Sequence, residues 1–452
     1  MREKRVAQDM TNKTSKIALN ILKNNVLCTH CLGRQLALIG SGTTNYERGS
    51  AVIISTIMNH LLEDEEKAIK SSKIFSKTKH SYAIETYKKL TGEELTPTEK
   101  CRLCEGIFDK IELIAKRALD AVSDIEFETF LFGSSFPPEW LVREEELWTE
   151  YGITTSESIK GHFNREVGKK FSEITGKEFD RKKPDVTLIV HIPDIRIERY
   201  VSSIFLKARY RKLVRNIPQT RWPCNECDGI GCEACNYTGK RYPTSVEEEI
   251  SPLVVETFEG KDSKFHGAGR EDVDALMLGS GRPFVIEIIS PKKRHADLEE
   301  LTRKINEKAK GKVEITRLEY TDKDLVRALK ENASQAVKTY RAKIYCEKPI
   351  DKERLKILEK KFTDQQLIKQ RTPNRVSHRR ADLIRHKVVY SVKIDDILNQ
   401  QEFVAIIECQ GGLYVKELIS GDEGRTKPSF SELLDNNCKC VELDVLDVKE
   451  KI

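Results

Sequence analysis

No uninterrupted apolar run of about 18 residues occurs in this 452-residue chain, which excludes an ordinary transmembrane helix. The opening residues, MREKRVAQDMTNKTSK, lack the apolar stretch that a secretory signal needs. A cytoplasmic protein is the expectation. Internal repeats and long low-complexity linkers are also absent, which argues against a solenoid or a tethered array. No glycine-rich dinucleotide fingerprint with an acid downstream appears, and no Ser-Gly-Gly-x-Asp-Ser pyrophosphate loop. A bound methyl donor and pyrophosphate-releasing chemistry both lose support.

What is present suits a wet-surfaced globular protein of two or three domains, with 38% hydrophobic and 33% charged residues. The net charge of +6 says little, but its distribution says more. Residues 201–222 hold six basic residues and no acid: Lys207, Arg209, Arg211, Lys212, Arg215 and Arg221. Residues 366–387 hold seven basic residues against one acid, Asp382. Such local excess is the electrostatic footprint of a phosphate backbone, so nucleic acid is the expected partner.

Eight of the twelve cysteines form four C-x-x-C pairs: Cys28/Cys31, Cys101/Cys104, Cys224/Cys227 and Cys232/Cys235. Without a secretion signal, disulfides are not expected. Two thiolates on one tight turn reach a single tetrahedral zinc ion. The first two pairs make one four-thiolate site if their turns meet, stapling the N-terminal helices. The last two, in CNECDGIGCEACNYTG, are compact enough to wrap one ion, with Gly229 and Gly231 permitting the tight path. No thioredoxin-like pattern surrounds them, which disfavours redox use.

Along the chain, residues 1–110 read as a helical zinc-binding module, 111–245 as a second domain ending in the cysteine cluster, and 246–452 as a third. The fold class is mixed α/β or α+β. Strands are expected at 186–192, 252–256, 272–278, 284–289, 340–346, 388–394, 403–409 and 441–448, with helices at 323–332 and 352–361. In GAGREDVDALMLGSGRPF, residues 267–284, the Gly279-Ser280-Gly281 break predicts a β-hairpin turn. Asp272 and Asp274 would then share one face of its first strand. From spacing alone, a structural Arg-Asp pair and a catalytic carboxylate fit equally well.

GREDVDALMLGSGRPF resembles the Gly-Arg-x-Asp motif of pseudouridine synthases. KTYRAKIYC and GGLYVKEL follow in the order of that family's Lys-x-Tyr and late Gly-x-Tyr motifs. With SSIFLKARYRKLVRNIPQTRWPC, QRTPNRVSHRRADLIR and the cysteine pairs, the chain is similar to the archaeal-type tenth pseudouridine synthase family. The resemblance implies a mostly antiparallel catalytic sheet in 246–452, a THUMP-type RNA-binding domain in 111–245 with the region ending in PDVTLIVHI similar to a THUMP helix and strand, and pseudouridine formation at positions 54 and 55 of the tRNA T-arm.

It also implies roles. Asp272 is the catalytic acid, acting at the ribose as nucleophile or in elimination. Lys416 stands where the family usually has arginine and pairs with Asp272. Tyr340 stacks on the target uracil, and Tyr414 lines the pocket. Arg270 holds or replaces the flipped base. Arg371, Arg375, Arg379 and Arg380, with Arg209, Arg211 and Lys212, are the expected RNA contacts. One or two structural zinc ions, no catalytic cofactor and a monomer complete the expectation.

Overall fold

The computed structural model describes residues 2–332, 335–379 and 381–449. The chain divides into two units, Met1–Ser202 and Ser203–Ile452. The division expected at 110/111 lies inside the first unit, whose apolar core runs from Ala18 to Ile195. That expected at 245/246 lies inside the second, because residues 204–212 are a strand of its sheet. Among the described residues, no helix is long and apolar enough to cross a membrane.

The first unit opens with α1 (Arg2–Asn24), α2 (Thr29–Arg34), α3 (Asn45–Glu63), α4 (Glu65–Ser76) and α5 (Ser81–Thr91). Then come α6 (Ile111–Ala121), β1 (Thr129–Ser135), α7 (Pro138–Tyr151), α8 (Ile159–Thr175), β2 (Glu178–Phe179), β3 (Val186–His191) and β4 (Arg196–Val201). Local chemistry fixes several of these ends. Thr44 and Glu47 form a reciprocal capping box at the start of α3. Helices α2 and α3 touch backbone to backbone, since a Cβ on Gly33 would lie 1.8 Å from the Asn45 carbonyl. The sheet runs β2-β1-β3-β4, and Phe130, Phe163, Phe171 and Leu188 are fully buried in the core.

The second unit contains β5 (Ile204–Lys212), α9 (Val246–Thr257), β6 (Asp262–Gly267), β7 (Leu276–Ile289), α10 (Leu298–Lys308), β8 (Val313–Ile315), β9 (Glu319–Thr321) and α11 (Lys323–Asn332). It continues with β10 (Val337–Cys346), α12 (Lys352–Lys361), β11 (Gln366–Arg371), β12 (Ile384–Ile397) and β13 (Glu402–Gln410). It closes with α13 (Val415–Ser420), β14 (Thr426–Lys427), α14 (Phe430–Leu434) and β15 (Cys438–Lys449). The sheet order is β14-β11-β12-β13-β10-β15-β7-β5-β8, with β6 added on β7 and β9 on β5. Every neighbouring pair is antiparallel except β15 with β7. This is the mixed, mostly antiparallel sheet expected. Apolar cores lie on it around α9 and α10, around α12, α13 and α14, and, smaller, around Val326 and Leu329 of α11, and Tyr340 packs against the first two.

Three expectations fail: the strand at 252–256, the strand start at 272, which lies at Leu276, and the Gly279-Ser280-Gly281 hairpin. Residues 252–256 are helical: Val246, Ile250, Val254 and Phe258 recur every four residues and are all fully buried, and Ser245 caps the helix. That period outweighs the short apolar run that suggested a strand, and Pro252 is accommodated inside the helix. Gly279-Ser280-Gly281 is no hairpin turn but a kink inside the single strand β7. Lys212 pairs with Met277 and Tyr210 with Arg282, so residues 278–281 bulge out opposite Arg211 alone. A Cβ on Gly279 would meet the Leu446 carbonyl at 1.8 Å, and one on Gly281 the Tyr210 carbonyl at 2.7 Å. The glycines serve close backbone approach, not chain reversal.

His162 on α8 is fully buried, stacked at 4.3 Å on Phe108, and neither ring nitrogen has a hydrogen-bond partner among the described residues. Burial, with Arg34 nearby, pushes its pKa from 6.5 down to about 2. The unfolded chain therefore takes up a proton below pH 6.5 that the folded chain refuses. The stability held above that pH is lost as the pH falls, at about 1.4 kcal/mol per pH unit. Denaturant titrations from pH 7 to 5 should show this steeper loss in the wild type than in His162→Phe. Equal slopes would refute the buried neutral histidine.

Candidate active site

The stretch that carries Asp272 is irregular backbone between β6 and β7, and a buried polar network holds it. Glu271 is buried beside the fully buried Tyr210, Arg282 and Lys212. Arg282 donates to Glu271 through Nε at 2.8 Å and to the Ala268 carbonyl at 2.7 Å. Tyr210 donates to Glu271 at 2.8 Å and receives Gln219 Nε2 at 2.7 Å, and that amide also donates to the Gly269 carbonyl at 3.0 Å. Lys212 Nζ donates to the carbonyls of Ile217, Asp272 and Val273 at 3.0, 3.1 and 3.2 Å. Burial lowers the Lys212 pKa and raises that of Tyr210. Each buried charge thus has a partner, without which its desolvation would be prohibitive.

Asp272 and Asp274 do not alternate along a strand. Ala275 N–H closes a turn onto the Asp272 carbonyl at 3.0 Å, and both carboxylates meet one ammonium. Lys416 Nζ lies 3.3 Å from Asp272 and 2.9 Å from Asp274. Burial alone would lower the Lys416 pKa, but its hydrogen bond to Asp274 and the two negative charges raise it, so it stays an ammonium. Arg375 is a second cation, 3.7 Å from Asp272 and anchored on the buried Glu417 at 2.5 Å. The Arg375 and Arg385 guanidinium groups each lie 5.9 Å from the Tyr414 ring. Gln370, fully buried, fixes the Tyr414 backbone by accepting from its N–H at 2.8 Å and donating to its carbonyl at 3.1 Å.

These groups open on a cleft of ≈ 830 Å³ lined by Arg270, Asp272, Tyr340, Arg375, Tyr414 and Lys416 together with Lys338, Leu443 and Val445. Tyr340 sits on β10 where the ladder to β15 shifts register between Thr339 and Tyr340, an irregularity that re-aims side chains. Burial raises its pKa, so it presents a neutral phenol ring. A carboxylate held between cations beside an aromatic ring can bind a planar uncharged group and act on an electrophilic carbon. Glu271, Arg282, Gln370 and Glu417 were missed from sequence. Their only signal is adjacency to motif residues.

The expected RNA contacts fare unevenly. Lys212 is buried and bonded to backbone, so it contacts no phosphate. Arg209 fastens the β7 kink through the carbonyls of Ser280 and Gly281, at 2.8 and 2.7 Å, and β15 through that of Val448 at 2.7 Å. Arg211 pairs with Glu314, and Arg371 donates to Asp382 at 2.9 Å. Arg215 braces the Asp272–Ala275 turn through the Asp274 carbonyl at 2.7 Å and Asp444 at 2.8 Å. The Arg379 side chain and Arg380 lie outside the described residues.

Both cysteine tetrads assemble. In each, the four sulfurs lie within 4.8 Å of one another. A tetrahedral ion with metal–sulfur bonds near 2.3 Å places its sulfurs about 3.8 Å apart. The observed Cys28–Cys104, Cys224–Cys232, Cys227–Cys235 and Cys232–Cys235 separations are 3.6, 3.9, 3.9 and 3.7 Å. The backbone N–H groups of Gly231 and Gly239 point at Cys227 and Cys235 sulfurs at 3.1 and 3.3 Å. Donation from Cys232 N–H, the leading cause, pulls the Cys235 thiol down to about 6, against burial. The donor sets therefore fit a thiolate-bound metal.

Comparison with known proteins places this geometry in context. Residues 205–449 match the family model described as Pus10, C-terminal, and residues 114–191 match Pus10 THUMP domain, archaeal. A protein of Methanocaldococcus jannaschii named tRNA pseudouridine synthase Pus10 is 44% identical over 96% of this chain and 94% of its own length. Proteins of the same name from Thermofilum pendens and Methanothrix thermoacetophila are 41% and 39% identical, over 96% and 95% of this chain and 95% and 93% of theirs. A solved Cbf5-Nop10-Gar1 complex is similar at a TM-score of 0.28 and 14% identity over 46% of either chain, too slight a likeness to argue from. With a matching model over more than half of its length and relatives that span nearly all of it, the chain belongs to the Pus10 family.

Proposed function

We propose that this protein isomerises uridine to pseudouridine in the T-arm of tRNA, at position 54, 55 or both, with Asp272 as the essential carboxylate. The observation that carries this reading is the convergence of Asp272, Tyr340, Tyr414 and Lys416, from separate stretches of chain, on one cleft in a member of this family. The reaction breaks the ribose C1′–N1 bond, turns the uracil and joins C5 to C1′. The C5 proton leaves and N1 gains one, so no oxidant, nucleotide or methyl donor is consumed. Asp272 acts at the ribose, as nucleophile or by promoting elimination, and Lys416 with Arg375 keeps negative charge favourable there. Tyr340 supplies a neutral ring on which the extruded base stacks. Arg270, Arg371, Arg375 and Arg385 meet the RNA. The THUMP match supports tRNA as the partner. The protein acts as a monomer in the cytoplasm.

Zinc fills both cysteine tetrads in this reading. Four thiolates close its shell and leave no position for a catalytic water, so its role is structural. Elemental analysis of the purified protein should find about two zinc ions per chain, as two such shells require. Cys28→Ser should lower the thermal stability of the first unit more than it alters turnover. A folded, active protein without metal would sink this assignment.

Tritium release from tRNA labelled at uridine C5, without methyl donor or ATP, tests the activity. Pseudouridine mapping of an unmodified transcript identifies the position. Asp272→Asn should lower turnover by roughly a thousandfold or more. Its tRNA affinity should stay within a few-fold, because affinity rests mainly on backbone contacts. An Asp272→Asn variant that turns over like the wild type would refute the carboxylate's role, and a wild type that makes no pseudouridine would refute the activity.

A further inference from the structure

The second cysteine tetrad lies in residues 224–235, and what its two ends carry is not used by the mechanism above. Residues leading into and out of it are tied together. Arg241 N–H donates to the Trp222 carbonyl at 3.1 Å, Cys224 N–H donates to the Gly239 carbonyl at 2.9 Å, and Pro223 and Lys240 form an isolated β-bridge. This clasp brings Trp222, Arg241 and Tyr242 into one cluster. The Trp222 and Tyr242 rings meet edge to face at 5.6 Å. The Arg241 guanidinium lies 5.5 Å from the Trp222 ring and 5.6 Å from the Tyr242 ring. A second guanidinium, that of Arg270, lies 5.7 Å from Trp222. Arg270 lines the cleft and stands two residues before Asp272. Both arginines are exposed, and neither pairs with a carboxylate among the described residues.

We propose that Trp222, Tyr242, Arg241 and Arg270 form a stacking site for an unpaired nucleobase that flanks the uridine entering the Asp272 cleft, and that the metal-bound second tetrad exists to hold this site in place. The inference rests on the tRNA pseudouridine synthase reading.

The chemistry selects the ligand. Indole and guanidinium planes both stack on nucleobases, and two guanidinium groups without carboxylate partners add attraction to the phosphate chain. Purely structural arginines in this unit behave differently. Arg211, Arg215 and Arg282 each have a carboxylate partner. An aliphatic or anionic ligand would not need two aromatic rings. Proximity sets the nucleotide: because Arg270 belongs both to the cluster and to the cleft, a base stacked here neighbours the one undergoing reaction. The metal's part follows from the clasp. With the tetrad closed, residues 222–224 and 239–242 are held as a pair, and Trp222 is fixed against Arg270.

The test uses the full-length protein and an unmodified tRNA transcript, together with transcripts carrying a single abasic residue on either side of the target uridine. Trp222→Ala should weaken binding of the intact transcript about tenfold, the loss expected for one base–aromatic stack. Trp222→Phe should stay within about threefold, since a smaller ring still stacks. One abasic transcript should show the same loss with wild-type protein, and on it Trp222→Ala should add nothing. The tRNA-induced quenching of tryptophan fluorescence should vanish in Trp222→Phe and fall in Cys232→Ser. Wild-type affinity in Trp222→Ala, an equal Trp222→Ala penalty on every transcript, or unchanged quenching in Trp222→Phe would each overturn the proposal. Should Trp222→Ala fail to fold, the abasic series on wild-type protein and the Trp222→Phe quenching still decide. A wild type that forms no pseudouridine defeats the parent reading. A wild type that forms it while Trp222→Ala binds normally defeats only this inference.

Discussion

Glu271 is the constraint on which the rest of the site depends. It accepts hydrogen bonds from Arg282 and Tyr210, and Lys212 lies 3.9 Å away. A buried carboxylate is costly unless its lone pairs are met, and here Arg282 and Tyr210 meet them while Lys212 adds a nearby positive charge. The cost of breaking any part is correspondingly high, so the loop that carries Asp272 is held in one conformation. Lys212 and Arg282 also grip the carbonyls of Ala268, Asp272 and Val273. The backbone around Asp272 is thereby fixed from its buried side, while its carboxylate stays half-exposed towards the cleft. The backbone is held from below, and the carboxylate faces the cleft.

The metal-ready tetrads apply the same logic with stronger bonds. The first ties α2 to the turn at Cys101–Cys104, which are far apart in sequence, within a unit whose core already includes Cys31, Cys101 and Cys104. The second encloses a segment whose own side chains bury little, with Ile230 and Tyr237 largely exposed. A segment that cannot bury enough apolar surface to offset its ordering entropy needs another source of order. Four metal–thiolate bonds would supply it.

Much of this was legible because chemistry-bearing residues come in a fixed order, and short motifs survive without knowledge of their partners. Asp272, Tyr340, Tyr414 and Lys416 could be named from pattern, and they share a cleft. The helices at Lys323–Asn332 and Lys352–Lys361 were readable from periodicity. What was not legible depended on distant chain. The basic run 201–222 looked like a phosphate-binding face because its acids are elsewhere: Glu319 for Lys207, Glu314 for Arg211, Asp444 for Arg215. A local window cannot see cross-strand neutralisation. Gly279 and Gly281 were read as a turn because the carbonyls they accommodate, those of Leu446 and Tyr210, belong to other strands. Tyr210, a simple aromatic in a basic run, gave no hint that it would be a ligand of Glu271.

The partner exchange along β7 has a mechanical meaning. Its first residues pair with β15 in a two-residue parallel ladder, Leu276 with Asp444 and Met277 with Val445, while its later residues pair with β5 and β6. The large sheet thus changes from antiparallel to parallel pairing at one seam, where Val445 and Val448 of β15 join the core under β5 and β7. The cleft lies across that seam: Asp272 and Ala275 come from one side, Tyr340, Tyr414 and Lys416 from the other. A shift of β7 along this seam would change the distance between the Asp272 carboxylate and the Tyr340 ring, which line the cleft from its two sides.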